Sequence, residues 1–311
     1  MVTPAAASRP TWVDDDLFPF ESRFVDIAGH SVHYVDEGSG PTLLMLHGNP
    51  TWSFVYREVI ESLRDQFRCV ALDYPGFGLS VAASGYGYQP EDHAAVTTAF
   101  LDHLNLDDVT LVVHDWGGPI GLSVAEQRPE RFSRLVLANT WAWPVNGQLR
   151  AEFASHLMGG LMGRELIRRF NLFVELLIPA GHRLRKVSTA EMTHYRRALS
   201  TRERRNACAI LPGKIVGARD FLAQVHEDLP RIAGLPTLIV WADKDMAFSD
   251  KDRQRLVSIF TNSATVMVAG AGHFVQSDAP DQVAAAIRDW LPGSRQRPLT
   301  KSQRRAGKAG T

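Results

Sequence analysis

Cysteine is nearly absent from this chain, with two in 311 residues, so there is no disulfide framework to read. Cys69 lies inside the apolar run 67–72 and Cys208 far beyond it. Both read as buried free thiols in a reducing compartment. An excess of either charge is also missing, since 34 Lys and Arg meet 34 Asp and Glu. That balance removes any whole-chain electrostatic case for nucleic acid or an anionic membrane, and leaves small neutral molecules as the expected partners. No apolar run is long enough to span a bilayer. The first twenty residues carry Pro4, Pro10 and the acidic run Asp14-Asp15-Asp16 rather than the unbroken apolar stretch of a signal peptide. The expectation is a cytoplasmic protein. Internal repeats are lacking too, and low complexity is confined to the two ends.

What is present is material for a large core: 45% of residues are hydrophobic and 22% charged. Short apolar runs at 32–35, 42–46, 68–72, 110–113, 134–138, 237–241 and 265–268 read as buried strands. Helical patterns at 54–64, 91–104, 120–127 and 282–290 lie between or after them. Such alternation predicts an α/β fold built on a mostly parallel sheet covered on both faces, with ligands beyond the carboxyl ends of the strands. The alternation stops after Trp143-Pro144. From 145 to 229 the pattern is helical, with Phe153, Leu157, Leu161, Leu166, Phe170, Phe173 and Leu177 at helical spacings until Pro179 stops the run. The expected organisation is an N-terminal extension at 1–20, a core at 21–144 and 230–293, a helical cap at 145–229 lying over the strand ends, and a solvated basic tail at 294–311.

The run Val112-Val113-His114-Asp115-Trp116-Gly117-Gly118 carries the chemistry. A strand enters it and a helix with small first residues leaves it, the strand–turn–helix context of a nucleophile elbow, here bearing Asp instead of Ser. A carboxylate raised above the sheet can attack an alkyl carbon and form an ester. His273, in the glycine-rich loop Gly270-Ala271-Gly272-His273-Phe274 after the last strand, is the candidate general base. Asp245 is the candidate carboxylate that orients it, with Asp243 as the alternative, nearer the strand end and suited to a turn. In Leu46-His47-Gly48-Asn49-Pro50 another strand ends in a turn. The backbone N–H groups of Asn49 and Trp116 can form an oxyanion hole, and their side-chain N–H groups are uncharged donors suited to a departing halide. Trp141 and Trp143 read as packing before pocket lining, and His47 and His114 as structural hydrogen-bonding residues. The glycines of 73–80 shape a loop, because the remaining fingerprint of a dinucleotide site is absent.

From about Phe20 to Leu291 the chain resembles the haloalkane dehalogenases of the α/β-hydrolase superfamily, most closely the subfamily with an Asp-His-Asp triad and an Asn-Trp halide pair. The segments 47–54 and 114–118 carry the resemblance. It implies Asp115 as nucleophile, His273 as base, Asp245 as its carboxylate, and Asn49 with Trp116 as halide ligands. It also implies a helical cap, no metal or organic cofactor, and a small halogenated alkane as substrate with water as co-reactant. Neither nucleic acid nor membrane is expected as a partner, and a homo-oligomer is left open.

Three rival readings remain. Epoxide hydrolases share the Asp ester, the His base and an HGxP turn, but normally supply tyrosine hydroxyls from the cap, where Tyr195 is the only tyrosine between 145 and 229. Fluoroacetate dehalogenases typically carry arginine where this chain has Trp116. A non-catalytic binding homologue would usually have lost a triad member, and none is lost here.

Overall fold

In a computed structural model, which describes residues 8–291, the apolar runs form one eight-stranded sheet. The strands are β1 (Arg23–Ile27), β2 (His30–Glu37), β3 (Thr42–Leu46), β4 (Arg68–Leu72), β5 (Val109–Asp115), β6 (Phe132–Thr140), β7 (Thr237–Ala242) and β8 (Ser263–Val268). They lie in the order β1-β2-β4-β3-β5-β6-β7-β8. β1 and β2 are antiparallel to their neighbours, whereas β3 through β8 run parallel. The central strands read as continuous apolar runs because both faces are covered: every residue of β5 and of β7 is buried. Each fully buried Leu, Val or Ile there contributes about 1.5–3 kcal/mol.

Helices α1 (Arg57–Leu63), α2 (Pro90–His103) and α3 (Gly117–Gln127) follow β3, β4 and β5. Between β6 and β7 come α4 (Leu149–Gly159), α5 (Leu161–Phe170), α6 (Leu172–Ala180), α7 (Thr189–Ala198), α8 (Asn206–Gly217) and α9 (Arg219–Asp228). After β7 lie α10 (Asp250–Ile259), α11 (Val275–Asp278) and α12 (Pro280–Trp290). No helix among the described residues is long and apolar enough to cross a membrane. Cys69 and Cys208 are both buried and free. The basic tail expected at 294–311 lies outside the described residues, as do the first seven residues of the expected extension.

Two sequence expectations need correction. The apolar positions from Phe153 to Leu177 belong to three helices instead of one run, separated at Gly160 and at Asn171, which adopts the left-handed conformation at φ +53°. Pro179 lies inside α6, in its last turn and one residue before its end at Ala180, and not beyond the helix. Several of these side chains also face outward: Phe153 is 70% exposed and Leu161 92%.

The α4–α9 segment is tied to the sheet by buried polar contacts. The Arg57 guanidinium on α1 pairs with Glu191 on α7, and Arg185 reaches the same carboxylate at 2.8 Å. Asp278 on α11 accepts from the backbone N–H of Arg183 (2.9 Å), Leu184 (3.0 Å), Arg185 (3.1 Å) and Gly272 (2.8 Å). One carboxylate thus pins the chain after α6 and the loop that carries His273.

Candidate active site

Asp115 ends β5 with φ +51°, a left-handed geometry that costs a non-glycine residue on the order of 1 kcal/mol or more. Its surroundings hold it there. The Thr140 hydroxyl donates to its carbonyl at 2.7 Å, and the β5–β6 register shifts between His114 and Asp115. Close backbone approach requires small neighbours: a Cβ on Gly117 would strike the Leu46 carbonyl, and one on Gly118 the Thr140 hydroxyl. A Cβ on Gly48 would overlap the Asp115 carboxylate itself.

The two carboxylate oxygens of Asp115 are unlike. Oδ1 accepts from the Asn49 backbone N–H at 2.8 Å, and the Trp116 backbone N–H also donates to the carboxylate. Oδ2 lies 3.9 Å from His273 Nε2. Burial raises the Asp115 pKa above the usual carboxylate range, against the opposing pull of His273 and the two N–H groups.

His273 Nδ1 donates to Asp245, at 3.1 Å from Oδ1 and 3.0 Å from Oδ2. That bond selects the tautomer whose Nε2 lone pair faces Asp115. Burial works against charging the imidazole, but the Asp245 carboxylate, and behind it Asp115, carries its pKa above the ordinary value. Asp245 is buried against desolvation, yet His273 and the N–H groups of Ala247 and Phe248 keep its pKa low. Its Oδ2 also accepts from Asn139 Nδ2 at 2.8 Å. Asn139 is itself fixed because its Oδ1 accepts from the Ala242 N–H at 2.8 Å. The other acid, Asp243, accepts from the Gly270 N–H at 2.6 Å and pairs with Lys244 at 3.2 Å, a turn-closing role.

The structure therefore brings Asp115, His273, Asp245, Asn49 and Trp116 together. The Asn49 side chain donates to the Cys208 carbonyl on α8 at 3.3 Å, which leaves a second N–H on the same nitrogen. The Trp116 indole is 2% exposed and meets Trp141 edge-on at 4.8 Å. Trp141 in turn lies 5.4 Å from Phe248, and Phe248 lies 5.8 Å from the His273 ring. Trp141 thus belongs to the aromatic wall of the site, whereas Trp143 packs under Arg255 at 4.3 Å. His114 donates from Nε2 to the His273 carbonyl at 2.8 Å, and burial keeps its own pKa near 3. His47 accepts from the Tyr74 N–H at 3.2 Å and donates to the Gly48 carbonyl at 3.0 Å.

Asn139, Thr140 and Asp278 escaped the reading of the sequence. An Asn-Thr pair at a strand end looks like turn chemistry, and only their tertiary partners mark them. Tyr195 is the one tyrosine of residues 145–229 that could activate an epoxide. It packs against Phe54 at 5.3 Å, with the Arg57 and Glu191 charges as its electrostatic neighbours.

A parallel sheet with a strained acidic elbow after β5, an acid after β7 and a histidine after β8 defines an α/β hydrolase. Residues 41–280 match the family model described as alpha/beta hydrolase fold. Within that superfamily the chain belongs to the haloalkane dehalogenase family. It is 47% identical over 276 residues to haloalkane dehalogenase 2 of Mycobacterium tuberculosis, covering 88% of this chain and 96% of that protein. It is also 33% identical over 293 residues to a cis-3-alkyl-4-alkyloxetan-2-one decarboxylase of Shewanella oneidensis, covering 89% and 90%. Among solved structures, that of DbjA superimposes with a TM-score of 0.79 at 26% identity, covering 88% of this chain and 98% of DbjA. Haloalkane dehalogenase DbeA from Bradyrhizobium elkani, at 24% identity, shares the fold with a TM-score of 0.81 over 88% of this chain and 98% of DbeA.

Proposed function

We propose that this protein hydrolyses carbon–halogen bonds of haloalkanes in two steps, with Asp115 as nucleophile. The unequal oxygens of Asp115 carry the reading. Oδ2, the oxygen facing His273, attacks a halogen-bearing sp³ carbon opposite the leaving group. A carbon–oxygen bond forms as the carbon–halogen bond breaks, and the halide departs with the bonding pair toward the side-chain N–H groups of Asn49 and Trp116. His273 then takes a proton from water, whose oxygen adds to the Asp115 carboxyl carbon. Negative charge develops on Oδ1, which already accepts from the Asn49 backbone N–H, with the Trp116 backbone N–H also donating to this carboxylate. Collapse releases the alcohol, which takes its proton from His273, and the regenerated Asp115 carboxyl gives up the proton that leaves with the halide.

Esterification also primes the base. Asp115 loses its negative charge when alkylated, which removes one of the two carboxylates holding His273 toward its cationic form. The imidazole becomes more readily neutral when it must accept a proton. In this reading residues 145–229 form the cap over the site and the protein works in the cytosol on small apolar halides.

The test is halide release by the purified protein against brominated and chlorinated alkanes, beside an Asp115→Asn variant. Release that vanishes in the variant is expected; equal release by both would remove Asp115 from the reaction. Epoxide opening is not favoured, because the Tyr195 hydroxyl lies with the Arg57–Glu191 pair. The 33% identity to the oxetanone decarboxylase supports a second substrate arm, a dialkyl β-lactone. Carbon dioxide without any halide release would move the assignment to that reaction.

A further inference from the structure

The neutrality of the whole chain hides a local imbalance. Residues 145–205 hold twelve Arg and Lys against five Glu and no Asp, a net of +7. The same segment carries much of the exposed apolar surface. Leu149 is 82% exposed, Phe153 70%, Leu157 61%, Leu161 92%, Met162 80% and Phe170 57%. Exposed singly, such residues would need no account; here six of them lie between 149 and 170 on two helices that pack together. Leu149, Phe153 and Leu157 follow one another at four-residue spacing along α4, and Leu157 and Met162 line an open groove of about 370 Å³ formed by α4, α5 and α6.

A second hollow lies beside that groove, reached through Phe170 at the end of α5. Arg169, Arg196, Arg197 and Arg205 line it, and its only acid, Glu175, is engaged by Arg196 at 2.7 Å. Arg150, Arg169 and Arg197 are exposed and form no ion pair with another described residue. An apolar shelf edged by unpaired guanidinium groups matches the boundary between acyl chains and anionic headgroups. It suits a second copy of this chain less well, because that copy brings the same net +7 over this segment.

We infer that the outer face of α4–α6 docks on an anionic lipid surface, with the Leu161–Met162 shelf in the acyl boundary and Arg169, Arg197 and Arg150 among the headgroups. The expectation of no membrane partner drew on whole-chain charge and on the lack of a spanning run, and neither describes a local surface patch. Docking there also suits an apolar substrate dissolved in lipid. α4 and α5 pack on α8, and α8 supplies the Cys208 carbonyl that touches Asn49.

Sedimentation of the full chain with vesicles tests the inference, comparing pure phosphatidylcholine with mixtures holding about a third phosphatidylglycerol. Binding should favour the anionic vesicles at least tenfold and fall steeply when salt is raised to ~0.5 M. The variants Leu161→Glu with Met162→Glu, and Arg169→Glu with Arg197→Glu, should each weaken binding roughly tenfold or more. All four side chains are exposed, so unchanged thermal midpoints should accompany the loss. Equal partition to neutral and anionic vesicles, or no partition at all, would overturn the inference. So would lipid-free dimerisation, read by light scattering, that disappears in Leu161→Glu with Met162→Glu while vesicle binding is absent.

Discussion

Asn139 Nδ2 donates to Asp245 Oδ2 at 2.8 Å, from the end of one core strand to the loop after the next. Asp245 thereby offers His273 a carboxylate whose orientation is set by the sheet as well as by its own loop. In the proposed mechanism Asn139 touches no reacting atom and acts by positioning Asp245. Asn139→Ala should slow ester hydrolysis roughly tenfold or more while leaving the first burst of halide release near its original rate. Rapid-quench kinetics separates the two steps, and an equal fall in both would assign Asn139 to general stability instead.

Loss of the base should trap the first product. His273→Phe should accumulate alkylated protein after exposure to a bromoalkane, seen as a mass shift that peptide mapping places on Asp115. In the unmodified protein, a single turnover in ¹⁸O-water should yield alcohol without label, and repeated turnover should label Asp115. Labelled alcohol from the first turnover would mean direct attack by water.

The His273 pKa is raised by Asp245 first and Asp115 second. Removing the Asp115 charge should lower it, so imidazole NMR of Asp115→Asn should show titration at lower pH than in the unmodified protein. The base works only when neutral, so the rate of ester hydrolysis should fall on the acid side of the His273 pKa of the alkylated enzyme. That limb should lie below the free-enzyme value. A His273 pKa indifferent to Asp115→Asn would separate the two residues electrostatically.

Stability should carry its own pH signature. Glu126 on α3 is 3% exposed, and burial pushes its pKa up to about 9 from an ordinary 4.5. A raised folded-state pKa gives stability that is fully present below the unfolded value and lost as pH climbs toward the folded one. The Glu126 contribution to stability should therefore decline between about pH 4.5 and 9, read as the difference in melting temperature from Glu126→Gln, because His93 and His114, whose pKa values burial lowers to about 3, add stability over the acid part of that range. Glu126→Gln should flatten that decline and stabilise the protein at pH 8 by roughly 1–3 kcal/mol. Parallel curves for the two proteins would contradict it.

The parallel core was legible because strands buried on both faces read as unbroken apolar runs, and their carboxyl ends told where to look for chemistry. β1 escaped notice, since Arg23-Phe24-Val25-Asp26-Ile27 is a half-exposed edge strand with only Ile27 fully buried. α10 escaped for a similar reason: Leu256 is its one buried residue. The three-helix division of 149–180 depends on Gly160 and a left-handed Asn171, which no apolar spacing announces. Asp115 and His273 stood out by residue type and context. Asn139 did not, because its meaning lies in Asp245, 106 residues away.

In the proposed reaction, attack through Asp115 Oδ2, the oxygen that faces His273 while Oδ1 accepts from the Asn49 N–H, makes the handedness of the product follow from that of the substrate. The first step turns the carbon inside out, and the second breaks only the bond between oxygen and the carboxyl carbon. A single enantiomer of a secondary bromide must then emerge as the alcohol of inverted configuration, whichever enantiomer the surrounding helices admit.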